Sequence, residues 1–319
     1  MSDIPVLFII FNRPDTTSKV FEAIRNVRPR YLYIASDAPR QSVKEDTEKC
    51  RQARSIIEKI DWDCELKTLF LEENLGTSLA PYTFIKWFFE QEEMGIVLEH
   101  DCLPDNDFFF FCREMLLRYK NDERIGIVSG SNFNSTQMTP YSYYFSKNAF
   151  IWGWASWKRT IHPYEVSLNN LPYKEFKLLL KENFDTLPER LFWKSVYRSL
   201  KQGQTQTWDY QLSFSLWRKE MLSIVPEKNL ISNIGFGVEA INTTDASSPL
   251  ADRKREKIFP LQHNPDVTRH RKAERHFFYN HIMERRPCKF YLKMLLKRIG
   301  IFQFLMSLKK SCATIRPVR

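Results

Sequence analysis

The chain has 319 residues, 14% of them aromatic, only nine glycines and a net charge of +10. That length allows one α/β core with appended elements, and the low glycine content excludes a fibrous or disordered class. The charge is lopsided. Arg285 to Arg319 holds ten Lys or Arg and no acid, while the preceding 284 residues hold 38 basic and 38 acidic residues. The basic pI therefore describes the tail, which argues against a body built to bind nucleic acid. Six cysteines, at 50, 64, 102, 112, 288 and 312, show neither C-x-x-C nor zinc spacing. Scattered thiols fit a reduced, cytosolic setting. The N-terminal MSDIPVLFII lacks a charged leader region and reads as a first strand. No apolar stretch is long enough to span a bilayer.

In chain order, the first 130 residues alternate between two textures. Short β-rich runs occur at Val6–Phe11, Tyr31–Ser36, Leu66–Leu71, Gly95–Leu98 and Ile125–Ser129. Between them lie helical patterns over Thr16–Arg25, Val43–Ile60, Ser78–Glu90 and Phe108–Tyr119, with Asp15 and Asn106 as expected N-caps. Phe84, Trp87 and Phe88 at i, i+3, i+4 form a buried stripe. Such alternation predicts a mostly parallel sheet flanked by helices. After Asn132 comes the aromatic segment Ile151–Trp157. Polar helices over Tyr173–Lys181 and Pro188–Lys201 follow, then Thr207–Trp217, a strand at Leu222–Val225, and an exposed loop over Ser247–Glu256. The end, Phe290–Leu308, reads as a basic amphipathic helix. Phe290, Met294, Ile301, Leu305 and Leu308 lie near one face, with Lys293 and Lys297 outside it.

The chemistry centres on Gly95-Ile-Val-Leu-Glu-His-Asp101. A buried strand ends in two carboxylates, and ligands in open parallel sheets bind at the carboxyl ends of strands. Side chains at i and i+2 of a strand share a face. Glu99 and Asp101 are therefore either capping carboxylates or oxygen ligands for Mn²⁺ or Mg²⁺, which would bridge the phosphates of a nucleoside diphosphate. Asp209, in Thr207-Trp208-Asp209-Tyr210, is either a helix cap or the general base for an acceptor hydroxyl. Trp152, Trp154 and Trp157 serve core packing, sugar stacking or both. His263 is a structural histidine or a further metal ligand.

The run GIVLEHDCLPDNDFFFFCREMLLRYKNDERIGIVSGSN resembles the central segment of GT-A-fold glycosyltransferases. It is especially similar to Golgi N-acetylglucosaminyltransferase I and its bacterial relatives. Three further segments resemble that group in the right order: Phe11-Asn12-Arg13-Pro14, Ala35-Ser36-Asp37 and Trp152-Gly-Trp-Ala-Ser-Trp157. The resemblance spans roughly residues 4–245. It implies a GT-A-like Rossmann-type α/β fold with a helical C-terminal extension. Residues 1–131 would form the nucleotide-sugar-binding half, 132–260 the acceptor-binding half, and 261–319 the basic extension. It implies Arg13, Asp37, Glu99 and His100 as donor-binding residues and Asp101 as the metal ligand. Two departures are visible. His100 stands where the Golgi relatives carry an acid, and Asn242 stands where bacterial relatives often carry a His.

The expected function is metal-dependent, inverting transfer of a sugar from a nucleoside diphosphate sugar, UDP-linked by resemblance, to a glycan or lipid-linked glycan hydroxyl. Glu239 is the reserve base. The expected pathway is bacterial surface polysaccharide or lipopolysaccharide synthesis. The basic tail would hold the protein on the inner face of the cytoplasmic membrane, since each Lys or Arg near an anionic surface is worth about 1 kcal/mol. Two rivals remain. One is a nucleotidyltransferase of related fold, although Phe11-Asn12-Arg13-Pro14 lacks the glycines of a phosphate loop. The other is a non-enzymatic protein that binds anionic surfaces.

Overall fold

The computed structural model describes residues 3–237, 245 and 248–298. Glu239, Asn242 and the tail beyond Arg298, with Ile301, Leu305 and Leu308, lie outside them. The chain divides into two compact units. Unit 1 takes Met1–Ser167 and Thr207–Glu274, and unit 2 takes Leu168–Gln206 and Arg275–Arg319. Strands contributed from both sides of residue 131 lie in one sheet.

Unit 1 opens with β1 (Val6–Ile10), α1 (Pro14–Val27), β2 (Tyr31–Ser36), α2 (Asp46–Arg54), β3 (Glu65–Phe70), α3 (Gly76–Gln91) and β4 (Met94–Glu99). It continues through β5 (Cys102–Pro104), α4 (Asn106–Arg118), β6 (Ile125–Ser129), β7 (Tyr143–Ser146), β8 (Trp154–Trp157) and α5 (Lys158–Ile161). Unit 2 supplies α6 (Tyr173–Asn183) and α7 (Leu187–Lys201), and unit 1 resumes with α8 (Asp209–Arg218), β9 (Leu222–Pro226) and β10 (Ile231–Asn233). The chain then runs through α9 (Arg271–Phe277), a π turn and α10 (Pro287–Arg298).

Eight strands form one sheet in the order β3-β2-β1-β4-β8-β6-β9-β7. The β3-β2-β1-β4 block is parallel, as is the β6–β9 pair; β8 runs antiparallel between β4 and β6. The architecture is thus the expected α/β sheet, largely parallel, with a helical C-terminal extension. Strand β1 is buried at all five positions, as an unbroken apolar run requires when helices cover both faces. Its side chains alternate. Val6, Phe8 and Ile10 enter one core with Phe108 and Phe111, while Leu7 and Ile9 enter the other with Phe84, Phe88 and Trp154. In β4, Ile96 and Leu98 go to the first core and Val97 to the second.

Several boundaries differ from the sequence reading. Helix α1 starts at Pro14, with Arg13 at the N-cap, so Asp15 lies in the first turn. Proline is pre-shaped for that first helical position. In α4 the cap is Asp105, whose carboxylate accepts from Asp107 N at 2.9 Å, and Asn106 is already helical. The pattern over Val43–Ile60 resolves into α2 and a separate 3₁₀ turn over Ser55–Lys59. Within the aromatic segment, Trp154–Trp157 form strand β8, with all four residues buried.

Unit 2 has its own apolar core. Phe278, Met283, Phe290 and Met294 pack with Leu191, Phe192, Tyr279 and Ile282. Phe176 stacks on Tyr197 at 4.3 Å between centroids, and Tyr197 Oη donates to Leu171 O at 2.7 Å. Of the apolar face read for the C-terminal helix, Phe290 and Met294 are buried inside unit 2. Among the described residues, no helix is long and apolar enough to cross a membrane.

Candidate active site

The site is built at the carboxyl end of β4. By strand alternation Glu99 shares a face with Val97, the face covered by α3 and α8. The strand stops at Glu99, and His100-Asp101 is a turn. The shared-face argument from the sequence therefore does not extend to Asp101, which a different contact places. Asp101 O accepts from Ile234 N at 2.9 Å, at the register where β5 pairs with β10. Gly235 then lies against the carboxylate: a Cβ there would sit 2.3 Å from Asp101 Oδ2. Only a glycine leaves room for that approach. Arg13 Nη1 donates to Gly235 O at 2.8 Å and ties the β1–α1 turn to the same loop.

Asp209 is brought to this edge by tryptophan packing. Trp208 lies against Trp154 at 5.9 Å between centroids, and Trp154 pairs with Val97 of β4. Tyr164 Oη donates to Trp208 O at 2.7 Å. Asp209 is the first residue of α8, and its carboxylate accepts from the Thr207 hydroxyl. The N-cap position belongs to Trp208, so Asp209 is not the cap. Burial raises the Asp209 carboxyl above its ordinary value, against the opposing Thr207 hydrogen bond. Glu99 is pushed up to about 8, first by burial and then by the charges of Asp101 and Asp209. Glu99 thus lies within the fields of one acid from the turn after β4 and one from α8. Burial lowers the His100 imidazole, and the Arg13 charge adds to this against the pull of Asp101.

The C-terminal ends of β1 and β2 carry a second polar set. Asp37 accepts from Ala38 N, Leu75 N and Gly76 N, each at 2.9 Å, and from Asn74 Nδ2 at 3.1 Å. Those four bonds occupy the acceptor positions of a carboxylate. Asp37 therefore shapes the turn before α3. Beside it, buried Asp46 accepts from Asn12 Nδ2 at 2.7 Å and from the Arg40 fork at 2.5 and 2.9 Å. Arg54 donates to Asp37 O at 2.9 Å and to Leu71 O at 3.2 Å. The sequence reading missed Arg40, Asp46, Asn74 and Gly235. Each acts through a partner in another element, which local spacing does not reveal.

Trp154 has no exposed surface and stacks on Phe89, so it does not offer a face to a sugar. The reason is its place in a central strand. Trp152 is half-buried beside Phe133 and Phe236, at 5.0 and 5.8 Å, and keeps an accessible edge. His263 is engaged outside the Glu99–Asp101 segment: its Nδ1 meets Tyr143 Oη at 3.2 Å and its Nε2 lies 3.7 Å from Glu114. Among the described residues no three His, Cys, Asp or Glu side chains are arranged as a closed metal site. The donor set is nonetheless of the hard-oxygen kind that suits Mg²⁺ or Mn²⁺. Asp101 would hold such an ion, with Glu99 beside it and the Gly235 backbone packed against the Asp101 carboxylate.

No protein-family model matches the chain, and no characterised protein matches it by sequence. Partial likeness to solved structures exists. The apo form of UDP-glucose pyrophosphorylase is 9% identical with a TM-score of 0.35, over 73% of this chain and 93% of that one. HddC from Yersinia pseudotuberculosis is 11% identical with a TM-score of 0.33, over 53% and 86%. Glycosyltransferase GlyE of Streptococcus pneumoniae TIGR4 is 13% identical with a TM-score of 0.31, over 71% and 55%. Overlaps this slight carry neither a reaction nor the finer likeness to N-acetylglucosaminyltransferase I. The reading of function rests on the site.

Proposed function

We infer that the protein is a nucleotide-sugar-dependent glycosyltransferase that moves a sugar from a nucleoside diphosphate sugar to a hydroxyl of a glycan. The observation that supports this reading is the placing of Glu99 at the carboxyl end of β4, where the charges of Asp101 and Asp209 both act on it. Two of these acids suit the leaving-group side and the third suits the acceptor side. UDP is the proposed nucleotide, from the resemblance of the β1 and β2 ends to that group.

In this reading Arg13 and the turn shaped by Asp37 border the nucleotide, with His100 as a neutral imidazole beside them. Asp101 would hold a divalent cation, and Glu99 would contact the donor or water at that cation. A bound cation would offset the negative charge that collects on the departing diphosphate. The acceptor oxygen forms a bond to the anomeric carbon as the carbon–oxygen bond to the diphosphate breaks. The electron pair leaves with the diphosphate, and Asp209 takes the acceptor proton. Its burial favours that role, because a raised pKa makes a carboxylate a better proton acceptor. Trp152 borders the sugar.

A second reading is nucleotidyl transfer from a nucleoside triphosphate to a sugar phosphate. Carboxylates at a strand end that would hold a divalent cation suit that reaction too; the glycine-free turn Phe11–Arg13 points against it. One experiment separates the two. Thermal shift against UDP, with and without Mn²⁺, is followed by product analysis. Release of UDP from UDP-sugars supports glycosyl transfer. Release of pyrophosphate from a triphosphate plus a sugar phosphate supports the rival, and no cation-dependent shift with any nucleotide removes both.

A further inference from the structure

Helix α10 carries two apolar faces, and unit 2 uses only one. Phe290 and Met294 are 4% and 9% exposed and lie in the unit 2 core. Tyr291, Leu292 and Leu295 are 42%, 57% and 53% exposed. With exposed Cys288 they fall at i, i+3, i+4 and i+7, one continuous stripe turned away from the core. Basic side chains border it. Exposed Lys289 and Lys293 lie on one flank and Arg298 on the other, with Arg285 and Arg286 exposed just before the helix. No Asp or Glu occurs from Arg285 to the end of the sequence.

We propose that the Cys288-Tyr291-Leu292-Leu295 face of α10 lies in the interface of an anionic membrane, with the flanking Lys and Arg on the headgroups. An interfacial helix needs an apolar stripe parallel to the surface and cations along its borders. Long basic side chains keep their charge at headgroup level while their stems cover apolar surface. Tyr291 has the amphipathic character that settles at such boundaries. The charge sign selects the occupant: Glu284, just before the helix, pairs with Lys289 at 2.7 Å, while Lys293, Arg298, Arg285 and Arg286 leave the border net basic, which matches anionic lipid and gives neutral lipid no advantage. This inference does not depend on the proposed reaction.

The test is flotation of the full chain with phosphatidylcholine vesicles, with and without phosphatidylglycerol. Wild type is expected to float with the anionic vesicles at least about ten-fold better than with neutral ones, and to be released by salt. Leu292→Asp with Leu295→Asp abolishes flotation. Leu178→Asp, at a leucine 54% exposed on α6, leaves it intact. If the double aspartate variant does not fold, Lys289→Glu with Lys293→Glu, at exposed positions, serves in its place and must lower flotation. Equal recovery with neutral and anionic vesicles overturns the proposal. So does wild-type flotation of the folded variants, or a wild-type dimer that the aspartates dissociate without any lipid binding.

Discussion

Arg13 Nη1 donates to the carbonyl oxygen of Gly235 at 2.8 Å, across 222 positions of sequence. The bond joins the first strand-to-helix turn of the protein to the loop that rests on Asp101. The position of the proposed cation ligand is therefore held from both ends of unit 1. The tightest point in that arrangement is Gly235 itself.

Gly235→Ala is expected to push on the Asp101 carboxylate, because the new methyl would lie 2.3 Å from Oδ2. Relief by movement of the loop costs about 1–3 kcal/mol, the usual range for overpacking. The larger effect falls on ligand binding. Thermal shift with UDP and Mn²⁺ should lose its cation-dependent part, while the ligand-free melting point falls only modestly. A variant with the full cation-dependent shift would show that Gly235 does not set the Asp101 geometry.

Asp209→Asn removes the proposed proton acceptor and keeps the shape. Turnover should fall by about 100-fold or more, within the worth of general-base catalysis. Donor affinity by calorimetry should stay close to wild type, because the nucleotide end of the site is built from other residues. Near wild-type turnover would assign Asp209 to structure and move attention to Glu239.

The two tryptophans of the aromatic segment are expected to separate. Trp154→Ala empties a fully buried position and should cost about 3–5 kcal/mol in denaturant unfolding. Trp152→Ala, at a half-buried position against Phe133 and Phe236, should cost less stability than that and in addition raise the KM for the sugar substrate. The opposite pattern, a silent Trp154 and a destabilising Trp152, would contradict the packing described above.

Glu227 gives a pH dependence remote from the carboxylate cluster. Burial raises its carboxyl above the model-peptide value of 4.5, although Met138 N donates to Oε1 at 2.8 Å. A folded-state value above the unfolded one means that the folded protein holds more protons between the two. Stability from this group therefore falls as pH rises from about 4.5 through the raised value. Glu227→Gln keeps the acceptor oxygen and removes the titration. Unfolding free energy against pH should slope less steeply in the variant than in wild type, and superimposable slopes would refute the assignment.

Much of the fold was legible in short segments. Tyr31–Ser36 and Ile125–Ser129 are strands at the boundaries read from their β-branched and apolar runs. The parallel block followed from strand-helix alternation, because a parallel pair needs a long crossover and a helix is the common one. The candidate acids Glu99, Asp101 and Asp209 were legible as acids in conspicuous surroundings. That the charge of Asp209 acts on Glu99 was not, since 110 residues and the packing of Trp208 on Trp154 lie behind it.

What the sequence by itself determined is whatever depends on near neighbours: the buried β1 run, the helical stripe of α3 and the purely basic C-terminal stretch. Tertiary structure alone decided the rest. Trp154–Trp157 became a strand because β4 and β6 offered backbone partners on both sides. Asp37 became a turn anchor because Asn74, Leu75 and Gly76 came within reach of its oxygens. Phe290 and Met294 entered a core while Leu292 and Leu295 stayed outside, although periodicity makes all four apolar. A hydrophobic pattern states which residues benefit from burial; which of them are buried depends on the surfaces that the rest of the chain brings to them.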